Sequence, residues 1–445
     1  MKIKAKYYMK KIPAALAAFM LLSGVSDTAL AAGPPTPEYI MDLTIAGTGA
    51  GDRSGIQLFR TRYMLEFARL REQIGKDRAI RRMQQKPEGT KPPSASVNSG
   101  APSGSMPPNR PKPPKNETFT LHVDNAGFSD STGMMREGVI YTNRSLTGNK
   151  DRLTMEWFRA QGFDTGALEY CLPLDKKGSS ADFVFISSAN NLVYGAMRAR
   201  DVNGHSKAAV VTLRTPVMST RDLRTEAGLQ YFYGRMSTDM GKVFPAMGLF
   251  RKTVLDTQYH RWSPYIAVTH YTDSTVLYHK HSLVLGNEST LSFGHRHYIK
   301  YELNAFYEKD YEHGQKLKAR FDGQLTNRRQ MSSMERFYLG GMNSVRGYKE
   351  SMLHGDEGFA ASVEYSVPIE KSRHLSAFTF VDGGRIYGTA MGNSDNSTML
   401  STGVGLTYSN KGLNASVSLG VPLKREIVAE KVPPTRLNFM MHWSF

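Results

Sequence analysis

Two pairs of histidines, His279 with His281 and His295 with His297, are spaced so that each pair would share one face of a strand and could ligate a metal ion. Neither pair has a carboxylate or cysteine constellation nearby, so no metal site and no cofactor are expected. The stretch GGMNS at 340–344 lacks the Gly-Lys-Ser/Thr ending of a phosphate loop, and no nucleophile stands beside a base. The one cysteine, Cys171, cannot form an internal disulfide. No enzymatic activity is expected.

A different chemistry surrounds Arg346. It lies in FYLGGMNSVRGY, residues 337–348, with Gly340, Gly341 and Gly347 around it. Glycine permits positive backbone torsions and close approach to a wall, so this loop could enter a confined space with its arginine leading. Strand-like segments follow. Along 357–367, Phe359, Ala361, Val363, Tyr365 and Val367 fall on one face, and Glu364 falls on the other. In the next segment Asp382 shares a face with Phe378 and Phe380. An arginine fork can grip a carboxylate with two parallel hydrogen bonds.

The elements that would position these groups have a period of two from Thr118 onward. Leu437, Phe439, Met441, Trp443 and Phe445 share one face, opposite Asn438, His442 and Ser444. Leu413, Ala415, Val417, Leu419 and Val421 likewise oppose Asn414, Ser416, Ser418 and Gly420. Such alternation suits strands between lipid and water, although a soluble sandwich would show it too. Charged residues make up 22% of the 445 residues and hydrophobic ones 40%, which underfills a compact core of this size. A barrel with a wet interior has no such requirement.

Residues 117–445 accommodate about sixteen antiparallel strands. Five follow the glycine-rich loop, near 357–367, 376–386, 399–408, 412–422 and 436–445. Twelve candidates precede it, and an even total requires one to be spurious; 246–256 is the suspect. The expected fold is therefore an all-β transmembrane barrel, preceded by an N-terminal helix and a linker.

The N-terminal region divides by composition. Residues 1–31 read as a signal peptide, with a basic start, a short apolar run and a small-residue cleavage site at Ala29-Leu30-Ala31. Residues 32–53 form a short segment in which EYIMDLTIAG reads as one strand. Over 54–85, Ile56, Phe59, Tyr63, Phe67, Leu70 and Ile74 make the apolar stripe of an amphipathic helix whose other face is rich in arginine. Residues 86–116 are a Pro/Ser/Gly-rich linker. The helix could plug the barrel, or bind a periplasmic partner through its stripe.

FYLGGMNSVRGY resembles the signature of the sixth extracellular loop in the Omp85 superfamily. GFAASVEYSVPI (358–369) and FTFVDGGRIYG (378–388) resemble the two strand motifs that follow it. Residues 121–153 are similar to the opening barrel strands of TpsB transporters, the hemolysin secretion/activation family of two-partner secretion. The resemblance implies that Gly340, Gly341, Val345, Arg346, Gly347 and Tyr348 form the tip of an inward-folded loop. It implies that Arg346 meets Asp382 and Glu364 on a lumen wall carrying Phe378 and Phe380, and that Phe439, Trp443 and Phe445 form a C-terminal assembly signal. TpsB transporters also carry two periplasmic POTRA domains, and no clear one is visible here.

The implied function is an outer-membrane pore that exports an unfolded exoprotein, adhesin- or hemolysin-like, from periplasm to cell surface. The implied partners are that exoprotein, outer-membrane lipids and the barrel assembly machinery, with the barrel acting as a monomer. Nucleic acid is not expected, despite the formal charge of +17, because no stacking or groove-reading motif is present. Barrel insertion or lipid transport, a general porin and a surface-attachment role remain as alternatives.

Overall fold

The computed structural model describes residues 116–128, 131–241, 252–290, 294–369, 374–388, 398–427 and 432–445. The expected signal peptide, the 32–53 segment, the helix at 54–85 and all but the last residue of the linker lie outside the described residues.

Strands alternate large apolar residues with small or polar ones, and the chain closes them into a single barrel. Its first eleven strands are β1 (Glu117–Asp124), β2 (Arg136–Asn143), β3 (Arg152–Ala160), β4 (Phe163–Pro173), β5 (Ser180–Asn191), β6 (Val202–Ser219), β7 (Leu223–Met240), β8 (Lys252–Tyr271), β9 (Thr275–Thr290), β10 (Gly294–Asp310) and β11 (Lys316–Thr326). A long loop then carries a small hairpin of β12 (Phe337–Leu339) and β13 (Leu353–Gly355). The remaining barrel strands are β14 (Glu357–Pro368), β15 (Leu375–Tyr387), β16 (Thr398–Asn410), β17 (Leu413–Pro422) and β18 (Arg436–Ser444). Every strand pairs antiparallel with its neighbour, β11 pairs directly with β14, and β1 pairs with β18 to close the ring.

Sixteen strands thus form the barrel, and the five after the loop lie where the alternation places them, within one or two residues. Of the suspect segment 246–256, residues 252–256 are described and form no separate strand. They open β8, which continues to Tyr271.

The outward face is apolar and exposed. Val404, Phe185, Ile266 and Leu437 are each more than half exposed, as are Val217 and Val381. Their alternate neighbours, among them Ser188, Ser206, Thr212, Gln230 and Ser282, point inward and are buried. A soluble protein could not leave such a continuous apolar band in water, so the band faces lipid. The connections on the side of the 327–356 loop include most of the longer ones, which marks that side as extracellular.

The seam is short. β1 and β18 pair from Thr120 with Ser444 to Asp124 with Met440, and Phe119 and Phe445 exchange backbone hydrogen bonds of 3.2 and 2.9 Å. Asn125 extends the closure, giving its side-chain amide to the Leu437 carbonyl at 2.8 Å and accepting from the Phe439 amide at 3.0 Å.

The lipid-facing assignment makes a checkable statement. Val404 lies midway along β16 and is 61% exposed. Val404→Arg is expected to cost about 2–4 kcal/mol in equilibrium unfolding from phospholipid vesicles, because it places a charge near the bilayer midplane.

Candidate functional site

Residues 327–356 fold into the barrel lumen, and their sequence explains how. Gly340, Gly341 and Gly347 adopt φ of 106°, 99° and 97°, torsions that a side chain would strain. Gly347 also presses on the inner wall. A Cβ on the facing Gly420 would lie 2.5 Å from the Gly347 nitrogen, so both positions must lack side chains for the tip to dock.

Val345 and Tyr348, both fully buried, anchor the tip in an apolar cluster with Leu339, Ala360, Ile386 and Met399. Each such side chain contributes on the order of 2 kcal/mol through burial. The Tyr348 hydroxyl shares its one proton between the carbonyls of Leu400 and Lys424, at 2.8 and 2.7 Å, and accepts from the Leu400 amide at 3.2 Å.

Between these apolar anchors Arg346 meets the wall. Its Nε donates to Asp382 Oδ2 at 2.8 Å and its Nη2 to Asp382 Oδ1 at 2.9 Å, the two-pronged geometry of a guanidinium on a carboxylate. Its own backbone amide donates to the same Oδ2 at 3.0 Å. Nη1 reaches Glu364 Oε2 at 2.8 Å, and Nη2 reaches Ser362 Oγ at 3.2 Å. Ser362 is opposite Asp382 in the β14–β15 register and donates to Asp382 Oδ1 at 2.6 Å. The guanidinium carbon lies 3.6 Å from the centroid of the Phe380 ring and 5.8 Å from that of Phe378. Burial alone would lower the Arg346 pKa, but the Asp382 and Glu364 carboxylates outweigh it and raise the pKa, so the group stays charged.

The structure therefore brings together all six loop residues singled out from the sequence and their four wall partners. It also adds Ser362, which a parity argument assigns to the lumen but cannot pair. The C-terminal residues stand apart from this cluster. Phe445 closes the seam with Phe119, their rings stacked at 6.3 Å, while Trp443 is half exposed on the lipid side. Of the histidine pairs, His279 and His281 contact one another at 2.9 Å, with Tyr301 2.5 Å from the latter. No group of three or more metal-ligating side chains occurs among the described residues.

A second anchor, at the base of the loop, is not evident from the sequence. Glu335 is completely buried and is held between Arg261 Nη1 at 3.1 Å and Lys300 Nζ at 2.8 Å. Lys300 also reaches Glu302 at 3.1 Å, and Arg261 stacks 4.4 Å from the Phe232 ring centroid. Asp356 accepts from the amides of Gln330 and Met331, at 2.7 and 2.8 Å, where the loop returns to the wall. Burial would raise the Glu335 pKa, but Arg261 and Lys300 outweigh it and hold the carboxyl below its ordinary value. Sequence offers one signal for this anchor: an acid just before the glycine motif, with cations at inward positions of β8 and β10.

The comparisons with known proteins agree with this architecture. Residues 270–441, which include the whole loop and its wall, match the Omp85 superfamily domain. This barrel carries an Omp85 superfamily domain and is an outer-membrane protein of the Gram-negative type. Among solved structures it resembles CdiB from Acinetobacter baumannii, with a TM-score of 0.62 and 16% identity over 74% of this chain and 60% of that one. CdiB from Escherichia coli gives a TM-score of 0.65 and 16% identity over 75% and 63%. BamA from Haemophilus ducreyi lacking POTRA domains 1–3 gives 0.52 and 14% over 74% and 70%. The chain thus spans less than two thirds of either CdiB chain, and likenesses at this identity establish the fold. No curated protein matches the sequence.

Two outcomes test the anchors. With Cys171→Ser as background, a spin label on Asn343→Cys should be immobile in the parent and mobile after Arg346→Ala, which leaves Asp382 unpaired in the wall at a cost of about 3–5 kcal/mol; an unchanged spectrum would contradict the assignment. A label on Arg329→Cys reads the base. Because the folded Glu335 pKa is depressed, its contribution is complete above the unfolded value of about 4.3 and is lost as pH falls through the lower folded value. The base should therefore stay docked at neutral pH and loosen only below about pH 4, whereas Glu335→Gln should loosen it at every pH.

Proposed function

We propose that this barrel is the outer-membrane pore of a two-partner secretion pathway, passing an unfolded exoprotein from periplasm to cell surface. The observation that carries the reading is the docked loop. Its tip occupies the lumen through contacts that are strong yet reversible, consisting of one bidentate ion pair, one neighbouring carboxylate and a small apolar cluster. An extended polypeptide in the lumen would compete with the loop for space, and loop release would open the route. No nucleotide is required, since folding of the cargo outside the cell makes its exit irreversible. The resemblance of residues 121–153 to the opening strands of TpsB transporters supports the same assignment.

In this reading the arginine-rich helix at 54–85 occupies the pore at rest, the 86–116 segment tethers it, and the last strand with Phe439, Trp443 and Phe445 is recognised by the barrel assembly machinery. The protein works as a monomer with its exoprotein and the surrounding lipids as partners.

Deleting the gene product and comparing released and surface-displayed proteins tests the function. The expected result is loss of one large exoprotein with other barrels unaffected. General loss of outer-membrane barrels would indicate an insertion role instead. Arg346→Ala should assemble yet reduce export at least tenfold. Deletion of 33–116 should raise single-channel conductance; an unchanged value would remove the plug assignment.

A further inference from the structure

The lipid-facing wall carries a feature that export does not use. Two adjacent rows of outward side chains cross the first six strands. One row runs Leu121, Val139, Trp157, Gly166, Ser187, Lys207, and its neighbour runs Phe119, Tyr141, Met155, Leu168, Phe185, Ala209. Between them lies a groove of about 960 Å³. Its floor is shallow where Gly166, Ser187 and Ala209 are small, and Trp157, Leu168, Phe185 and Tyr233 stand up around it as exposed rims. The rows cross strands about 4.8 Å apart, so from Phe119 to Lys207 the groove runs about 24 Å obliquely across the wall, more than the ~15 Å depth of one hydrocarbon leaflet.

The outer end of this groove is charged. Lys207 lies five residues from the extracellular end of β6, and the register sets it directly opposite Arg235 on β7. Both side chains are exposed and point toward lipid. Like charges directly opposed on a sheet face destabilise it unless an anion lies between them. Asp256 pairs with Arg235, its Oδ2 2.7 Å from Nη2, which accounts for one of the two cations. Lys207 has no ion-pair partner among the described residues. Just beneath this pair lies an aromatic cluster that marks the membrane boundary: Tyr231 and Trp262 have centroids 4.6 Å apart, and the Tyr231 hydroxyl contacts His260 at 2.9 Å. The cations therefore sit at headgroup height in the outer leaflet.

We propose that this groove binds one phosphate-bearing acylated lipid of the outer leaflet, with a phosphate on Lys207 and Arg235 and an acyl chain lying over Gly166, Ser187 and Ala209. The chemistry is complementary at both ends. A phosphate gives Lys207 the anion that Asp256 already gives Arg235 while reaching the edge of the same guanidinium, and the small-residue floor admits a methylene chain that bulkier side chains would exclude. The site is independent of the cargo and of the loop.

The test is native mass spectrometry of the detergent-purified full chain incubated with a bisphosphorylated acylated glucosamine disaccharide, and separately with the same lipid after removal of its phosphates. The parent should retain the phosphorylated lipid at least fivefold better than the dephosphorylated one. Lys207→Gln should abolish that preference and Arg235→Gln should reduce it. Gly166→Leu should weaken retention of both lipids by filling the floor. The wall should accept this change, because a Cβ at Gly166 would meet nothing closer than the Glu156 carbonyl oxygen at 3.8 Å. Heat-modifiable mobility in detergent gels confirms that each variant remains a closed barrel. Equal retention of the two lipids by the parent, or undiminished retention in Lys207→Gln, would overturn the proposal.

Discussion

A guanidinium held against a buried carboxylate inside a membrane barrel is the constraint from which the rest of this structure follows. Asp382 has no exposed side-chain surface, and removing its partner would leave a charge in a wall lined by Phe378 and Phe380. Arg346 supplies that partner from a loop rather than from the wall itself, so the position of the loop and the electrostatic balance of the wall are one problem. The two-pronged contact fixes the direction of approach, the Phe380 face fixes its height, and the backbone amide of Arg346 on the same carboxylate fixes the tip. Gly347 and Gly420 let the tip come close enough for these distances to be met.

The loop has two anchors of different character. At the tip, the ion pair is one-eighth exposed on the arginine side and is reinforced by Val345 and Tyr348, so its release exposes apolar surface as well as charge. At the base, Glu335 is enclosed between Arg261 and Lys300 with no exposure of its own. Separating that triad would strand several charges at once, which is far more costly than undocking the tip. The asymmetry favours a loop that swings from a fixed base, with the tip as the moving part.

Much of this was legible in the sequence for a simple reason. Side chains of a strand alternate strictly, so parity sets Glu364 opposite the apolar face of its strand and Asp382 on the face of Phe378 and Phe380, and the terminal alternation around Trp443 places the last strands within a residue or two. The glycines flanking Arg346 disclosed a loop in need of positive torsions. Long-range pairing was less legible. Glu335 looks like any loop acid until β8 and β10 deliver Arg261 and Lys300 to it from 74 and 35 positions away. The 246–256 stretch alternates well enough to look self-contained, yet an even strand count makes it the suspect among the candidates, and its described residues belong to a strand that runs on to Tyr271. Local pattern fixes which face a residue occupies; closure of the ring decides what it meets there.

The most direct measure of the central claim is a double-mutant cycle between Arg346→Gln and Asp382→Asn, read as the docking equilibrium of the loop tip in the intact barrel. Each single change should shift that equilibrium strongly. Because the two groups share one contact, the double variant should be little worse than either single one, with a coupling of about 3 kcal/mol. Additive effects, or a tip that stays docked in the double variant as firmly as in the parent, would mean that another interaction holds the loop and that the arginine and its carboxylate only happen to be neighbours.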